Sequence, residues 1–200
     1  MRGIAAIAAF SALGALCASC SFLPSEPYRE VRSFDLAIPQ AAGMPLRVQP
    51  FSADSACKFK LLYRAGGNEM LIDEYNKWTQ PPAQLLTKHL RLAFRDEAPS
   101  AGKLPEPAKY ELSGTVLAFE ADLDAKRVDL GVRYSITPIS STTPNAQSIE
   151  RTVIFSQPLK TNEPDAVAEA MAQAAGQLVD AVKSDCLALE AKQAVKAEGK

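Results

Sequence analysis

The residues best equipped for chemistry are four cysteines, one histidine and a few acids, and their spacing decides what they can do. Cys17-Ala18-Ser19-Cys20 is formally a C-x-x-C pair. A thioredoxin-type pair opens a helix after a strand inside a folded unit, and a zinc site needs two more ligands close by. Neither context surrounds this pair. His89 is the only histidine, and no Asp, Glu or Cys constellation accompanies it. It falls near an apolar stripe, so a helix-surface or boundary position explains it better than catalysis or metal binding. Asp122 and Asp124, with Leu123 between them, fall far short of a calcium loop and suit a turn. Gly66-Gly67 is not followed by Gly-Lys-Ser/Thr, so no phosphate loop is present and ATP must be handled by another chain. No Gly-x-Ser-x-Gly nucleophile elbow occurs either. The expectation is a protein that is not an enzyme, with no cofactor and no metal.

What surrounds Cys20 gives the pair another meaning. The chain starts Met1-Arg2 and continues "GIAAIAAFSALGAL" without a charge. That is a one-residue basic region and an apolar region ending in small residues, the pattern of a secretory signal. The run is too short and too rich in Ala and Gly for a confident membrane span. Leu16, Cys17, Ala18 and Ser19 before Cys20 resemble a bacterial lipobox, with Cys17 where Leu is usual. Cleavage before Cys20 would leave its thiol as the acceptor for acyl chains, each buried methylene adding about 0.8 kcal/mol of membrane affinity. Residues 21–30, "SFLPSEPYRE", hold two prolines, two acids and no apolar period, as an extended tether would. By analogy with bacterial lipoproteins, Ser21 is not the Asp that favours inner-membrane retention, which points to the outer membrane, periplasmic side. The expected organisation is a signal peptide over 1–19, anchor and tether over 20–43, one domain over 44–186 and a charged, fraying tail over 187–200.

Composition sets the bounds on that domain. With 47% apolar residues the chain can build a real core. Its net charge is −1, or −2 without Arg2, so bulk charge gives no reason to bind nucleic acid or acidic lipid. Cys57 and Cys186 remain after the signal. In an oxidising periplasm they either form a disulfide, which would close a long loop and add about 4 kcal/mol, or stay as two buried thiols.

The elements follow from periodicity. Residues 28–39 suit an edge strand and residues 44–51 a short strand. "CKFKLLYR" and "EMLIDEY" flank "AGGN", a hairpin turn in which paired glycines reach positive φ. Pro81 and Pro82 fit a first helical turn, capped by Thr79 or Gln80. Leu86, Leu90, Ala93 and Phe94, with Leu85 alongside, then make an apolar stripe that ends before Pro99. "KYELSGTVLAFEAD" alternates, and "RVDLGVRYSI" alternates cleanly, with Val128, Leu130, Val132, Tyr134 and Ile136 on one side. One face on a core and one face wet is the signature of an antiparallel meander, completed by residues 149–159. A last helix opens at Asn162-Glu163-Pro164-Asp165, with Asn162 able to cap it. Its stripe of Val167, Met171, Ala174, Leu178 and Val182 is more easily core than the wall of a lipid groove. The predicted fold is α/β: a mixed, largely antiparallel sheet (hairpin, helix, three-strand meander, helix) with two long helices packed on it.

At "LLYR…EYNKWTQPPAQLL" the chain resembles the ABC-type transport auxiliary lipoproteins, the PqiC-like family. The matching residues are Leu62-Tyr63-Arg64, Tyr75, Trp78, Pro81-Pro82 and Leu85-Leu86. "YELSGTVLAFEAD", the V-x-L-x-V-x-Y strand, "EPDAVAEAMAQAAGQLV" and the lipobox-like start agree as well. The acidic "IDE" before Tyr75 and the pair Cys57 and Cys186 depart from the pattern. The resemblance implies an accessory protein anchored in the outer membrane, working with an ATPase, a permease and an MCE-domain protein to move lipids between membranes, and ring-like oligomers among relatives. It leaves two rival roles, a lipid-binding carrier and a regulator of cell-wall synthesis. Tyr75 and Trp78 flank the first helix and could serve as aromatic contacts for a partner. Against that, Trp78 could simply cover the sheet and staple the helix entry.

Overall fold

A computed structural model describes residues 28–54, 59–94, 107–139 and 147–198. Residues 28–30 are coil, with Tyr28 exposed. From Val31 onward the chain forms a single unit. Eight strands make one mixed sheet. In chain order they are β1 (Arg32–Phe34), β2 (Arg47–Val48), β3 (Ser52–Ala53), β4 (Lys60–Ala65), β5 (Glu69–Trp78), β6 (Tyr110–Asp122), β7 (Arg127–Pro138) and β8 (Ile149–Pro158). Helix α1 spans Pro82–Ala93 and helix α2 Pro164–Glu198.

The backbone of the sheet is the long antiparallel β6–β7–β8 meander, as the alternation predicts. Val128, Leu130, Val132, Tyr134 and Ile136 are all buried on the inner face. Opposite them on β6 stand Ala121, Phe119, Val116, Gly114 and Leu112. The other edge of β6 is tiled by three short parallel pieces. Arg47 and Val48 pair with Glu111 and Leu112, Ser52 and Ala53 with Thr115 and Val116, and Tyr63 and Arg64 with Ala121 and Asp122. β4 then turns back through Gly66 (φ 56°) and Gly67 (φ 85°) into β5, and β1 closes that edge parallel to β5.

Both helices lie on the inner face. Helix α1 begins without a side-chain cap, because Pro81 rather than Thr79 or Gln80 takes the cap position in an extended conformation. Pro82 follows at the first helical position, where it gives up no hydrogen bond. Leu85, Leu86, Leu90, Ala93 and Phe94 are essentially fully buried. Thr87 sits among them with its hydroxyl satisfied, donating to the Ala83 carbonyl (2.7 Å) and accepting from the Phe51 N–H (2.9 Å). Helix α2 buries Val167, Met171, Ala174, Ala175, Leu178, Val182, Cys186 and Leu189 against the sheet, so the stripe is core. A fully buried Leu or Met contributes about 1.5–3 kcal/mol.

Both ends of the domain depart from expectation. Residues 31–43 are not free tether: β1 pairs with β5, Phe34, Leu36 and Ala42 are buried, and the Ala42 N–H donates to the Ala93 carbonyl (2.7 Å). At the other end helix α2 runs on to Glu198 instead of fraying from residue 187. Ala, Leu, Glu and Lys are strong helix formers, and buried Leu189 ties that extension to the core.

Candidate functional site

The expected site residues scatter. Cys20 and Cys57 lie outside the described residues. Cys186 is fully buried on α2 and has no disulfide partner among the described residues; as a thiol, burial, helped by Asp185 and Glu190, pushes its pKa up to about 12. Such a thiol is inert rather than nucleophilic at neutral pH. Beside it the Tyr134 hydroxyl donates to Asp185 (2.8 Å), which also accepts from the Arg151 guanidinium (3.2 and 3.3 Å). This cluster pins α2 to β7 and β8. Asp122 accepts the Ala125 N–H (2.8 Å) in the β6–β7 turn, the turn chemistry expected of it. Among the described residues no group of three or more His, Cys, Asp and Glu side chains gathers as metal ligands would. Nor, among them, is any helix long and apolar enough to cross a membrane.

The two aromatics separate. Trp78, 2% exposed, is core, with its ring edge-on to Phe119 at 5.1 Å, so it is not available to a partner. Tyr75 is exposed. A wide bulge interrupts the β4–β5 ladder around Tyr75. Between the Lys60–Lys77 pair and the Leu62–Ile72 pair, β4 advances two residues while β5 advances five. Asp73 holds the bulge. One carboxylate oxygen accepts the Tyr75 and Asn76 N–H groups (2.9 and 2.8 Å), and the other accepts from the Asn76 side chain (2.9 Å) and the Tyr63 hydroxyl (3.3 Å). Burial alone would raise its pKa, but these hydrogen bonds outweigh burial and hold the carboxyl below its ordinary range. Asp73, the first acid of "IDE", thus has a structural role.

Among the described residues, two surfaces that group apolar atoms at solvent stand out. The first is the β4–β5 hairpin. Met70, Leu71 and Ile72 are exposed in a row, and Phe59 and Tyr75 are exposed nearby in sequence. Successive strand residues point to opposite faces, so this arm is apolar on both sides. Charges frame it: Arg64 pairs with Glu120 (2.7 Å) and Lys60 with Glu74. Three consecutive exposed apolar residues were the available sequence signal for this arm.

The second surface is a groove of about 630 Å³ between residues 35–40 and the outward strip of α2. Leu36, Ile38 and Pro39 form one wall, and Ala168, Ala172, Gly176 and Val179 the other. His89 reaches it from α1. Far from a boundary position, His89 is 4% exposed, because residues 35–40 and α2 cover the side of α1 that sequence periodicity leaves open. It hydrogen-bonds the Ala37 backbone, while its Nε2 is buried with no partner. Burial holds its pKa below the ordinary value despite the Ala37 bond and the nearby Asp35 charge. No single-sequence pattern shows this groove, since it joins segments about 130 residues apart.

The fold is thus a mixed α/β sheet carrying two helices on one face, with an exposed apolar arm and a groove beside the last helix. The chain belongs to the family of the ABC-type transport auxiliary lipoprotein component, whose model matches residues 37–183. No curated protein matches it. Among solved structures it is similar to an uncharacterized protein (14% identity, TM-score 0.62, covering 79% of this chain and 99% of that one). It is also similar to a protein from Xanthomonas campestris (20% identity, TM-score 0.60, covering 82% and 98%). At these identities the likeness is one of fold.

Proposed function

We propose that this chain is an outer-membrane-anchored periplasmic accessory protein of an MCE/ABC-type lipid transport system, acylated at Cys20 and docking the assembly to that membrane. Membership of the transport auxiliary lipoprotein family carries the reading. The apolar β4–β5 hairpin supports it, because exposed contiguous apolar residues on a strand pair favour protein contact. In this reading Cys20 supplies the anchor, residues 21–30 the tether, and the hairpin the surface that meets the MCE-domain protein, the permease or another copy of the chain. ATP hydrolysis belongs to the partner ATPase.

The experiment places a photo-crosslinking amino acid at Leu71 or Ile72 of the full-length lipoprotein in cells and identifies what it captures. An MCE-domain protein or the permease is the expected capture. Recovery of cell-wall synthases alone, or of nothing, would reject the docking role. In parallel, Cys20→Ser should move the chain from the outer-membrane fraction to the soluble periplasm.

A further inference from the structure

The two edges of the sheet differ. At one, β1 covers Asn76, Lys77 and Trp78, and the bulge at Asp73 interrupts the rest of β5. At the other, β8 is the last strand, ten residues long and paired to β7 without a shift in register from Ile149 to Pro158. Among the described residues no backbone group of β8 bonds to any backbone but that of β7. An edge strand ordinarily carries a device against pairing with another chain: brevity, a bulge, a lysine, a proline or a cover. β8 has no bulge and no lysine, and its one proline is its last residue. Its outward row of N–H and C=O groups is open to one further strand.

The residues of β8 fit a copy of β8 itself. Val153 and Phe155 pack on the core and Arg151 reaches Asp185 on α2, so these three face the helices. Thr152, Ile154 and Ser156 alternate with them and face away. Outward from Ile154, 68% exposed, the residues match in both directions: Val153 with Phe155, Thr152 with Ser156, Arg151 with Gln157. Two copies running antiparallel about Ile154 set apolar against apolar on both faces and hydroxyl against hydroxyl. Arg151 then meets Gln157 and Glu150 meets Pro158, so no like charges oppose. Centring on Arg151 would place guanidinium against guanidinium. Centring on Thr152 would place Ile154 against Glu150, and centring on Val153 would place Arg151 against Phe155. One register is favoured, and it is two-fold symmetric.

We propose that a second copy of this chain pairs antiparallel with β8 in that register, joining the two sheets edge to edge across a two-fold axis at Ile154. An isologous contact of this kind closes at two copies. A single strand edge is smaller than a standard interface, so the pairing forms where chains are crowded and is weak in dilute solution. It does not rest on the docking role of the hairpin, and either can fail without the other.

Oxidation of the full-length chain by copper phenanthroline, in detergent at rising concentration, reads the register. Directly opposed residues of an antiparallel pair lie about 4.5–5.5 Å apart at Cα, within disulfide range. Ile154→Cys should therefore yield a disulfide-linked dimer. Thr152→Cys alone should not, because the two copies of that residue would stand about 14 Å apart, and Glu150→Cys alone lies farther still from its copy. Thr152→Cys mixed with a size-tagged Ser156→Cys should give the mixed disulfide. Adding Ile154→Lys to both chains of that mixture should abolish the link with the melting temperature maintained, since the side chain is exposed. The unsubstituted chain supplies the background from its own cysteines. Linking at all positions alike, or at none, would overturn the proposal. So would a faster link from Ile154→Cys to Leu71→Cys than to its own copy, because the chains would then join head to tail.

Discussion

His89 and two glycines show how much single positions carry. His89 is the only histidine, so no other side chain shares its ordinary titration range. Burial lowers its folded pKa, while the unfolded chain titrates near 6.5. Below that value the unfolded state binds more protons, so stability present at pH 7 is lost as pH falls toward the folded pKa. Urea midpoints at about pH 7 and pH 5.5 should differ in the wild type, and the difference should shrink in His89→Phe. A midpoint independent of pH in the wild type would mean that the imidazole is not held neutral. The glycines make a matched pair. At Gly114 an added Cβ would lie 2.5 Å from the Phe51 ring and 2.6 Å from the Arg133 carbonyl oxygen. The backbone oxygen cannot step aside, so Gly114→Ala should cost about 1–3 kcal/mol or more. At Gly176 the same change meets open space inside a helix and should stabilise by about 0.5–1 kcal/mol. Opposite signs in denaturant titrations are expected, and equal signs would contradict the packing described.

At the scale of elements, the β4–β5 hairpin depends on Asp73. Its carboxylate satisfies two backbone N–H groups and two side chains across the bulge. Asp73→Ala should destabilise by about 1 kcal/mol, since the site is partly open to water. The pH sign follows from the lowered pKa. The contribution is present above the unfolded carboxyl value and fades as pH drops through the folded one. Hydrogen exchange should show β4 and β5 opening earlier in Asp73→Ala while β6–β8 keep their protection, and a uniform loss would refute a local role. Nothing in "EMLIDEY" announces this bulge, because alternation over a few residues cannot reveal that the partner strand runs short by three. The same limit explains the tiling of β6. Residues 44–51 read locally as a short strand and 57–64 as one arm of a hairpin, yet Arg47–Val48, Ser52–Ala53 and Tyr63–Arg64 also pair in parallel with a strand some 60 residues away. By contrast β7 and α1 were legible, because each has one wet face and one dry face along its own length. The groove was not, because His89 is buried by segments that periodicity along α1 does not see.

For the whole molecule the question is where the folded unit begins, since under the proposed anchoring at Cys20 that would set how far the domain could stand from its membrane. A tether running from residue 21 to residue 43 would reach about 80 Å fully stretched. Val31 already belongs to the folded unit, so a tether limited to residues 21–30 would reach about 35 Å. The segment 31–43 does three structural jobs. It adds β1 to the sheet edge, buries Phe34, Leu36 and Ala42, and forms one wall of the groove. Phe34 and Leu36 alone are worth about 3–6 kcal/mol of burial, a large share of the ~5–15 kcal/mol that holds an ordinary domain together. A chain starting at residue 31 should therefore unfold at the same urea concentration as the longer protein. One starting at residue 44 should unfold at a much lower concentration or fail to fold. If the two truncations matched, residues 31–43 would be tether after all, the longer reach would apply, and the groove would lose the wall that closes it over His89.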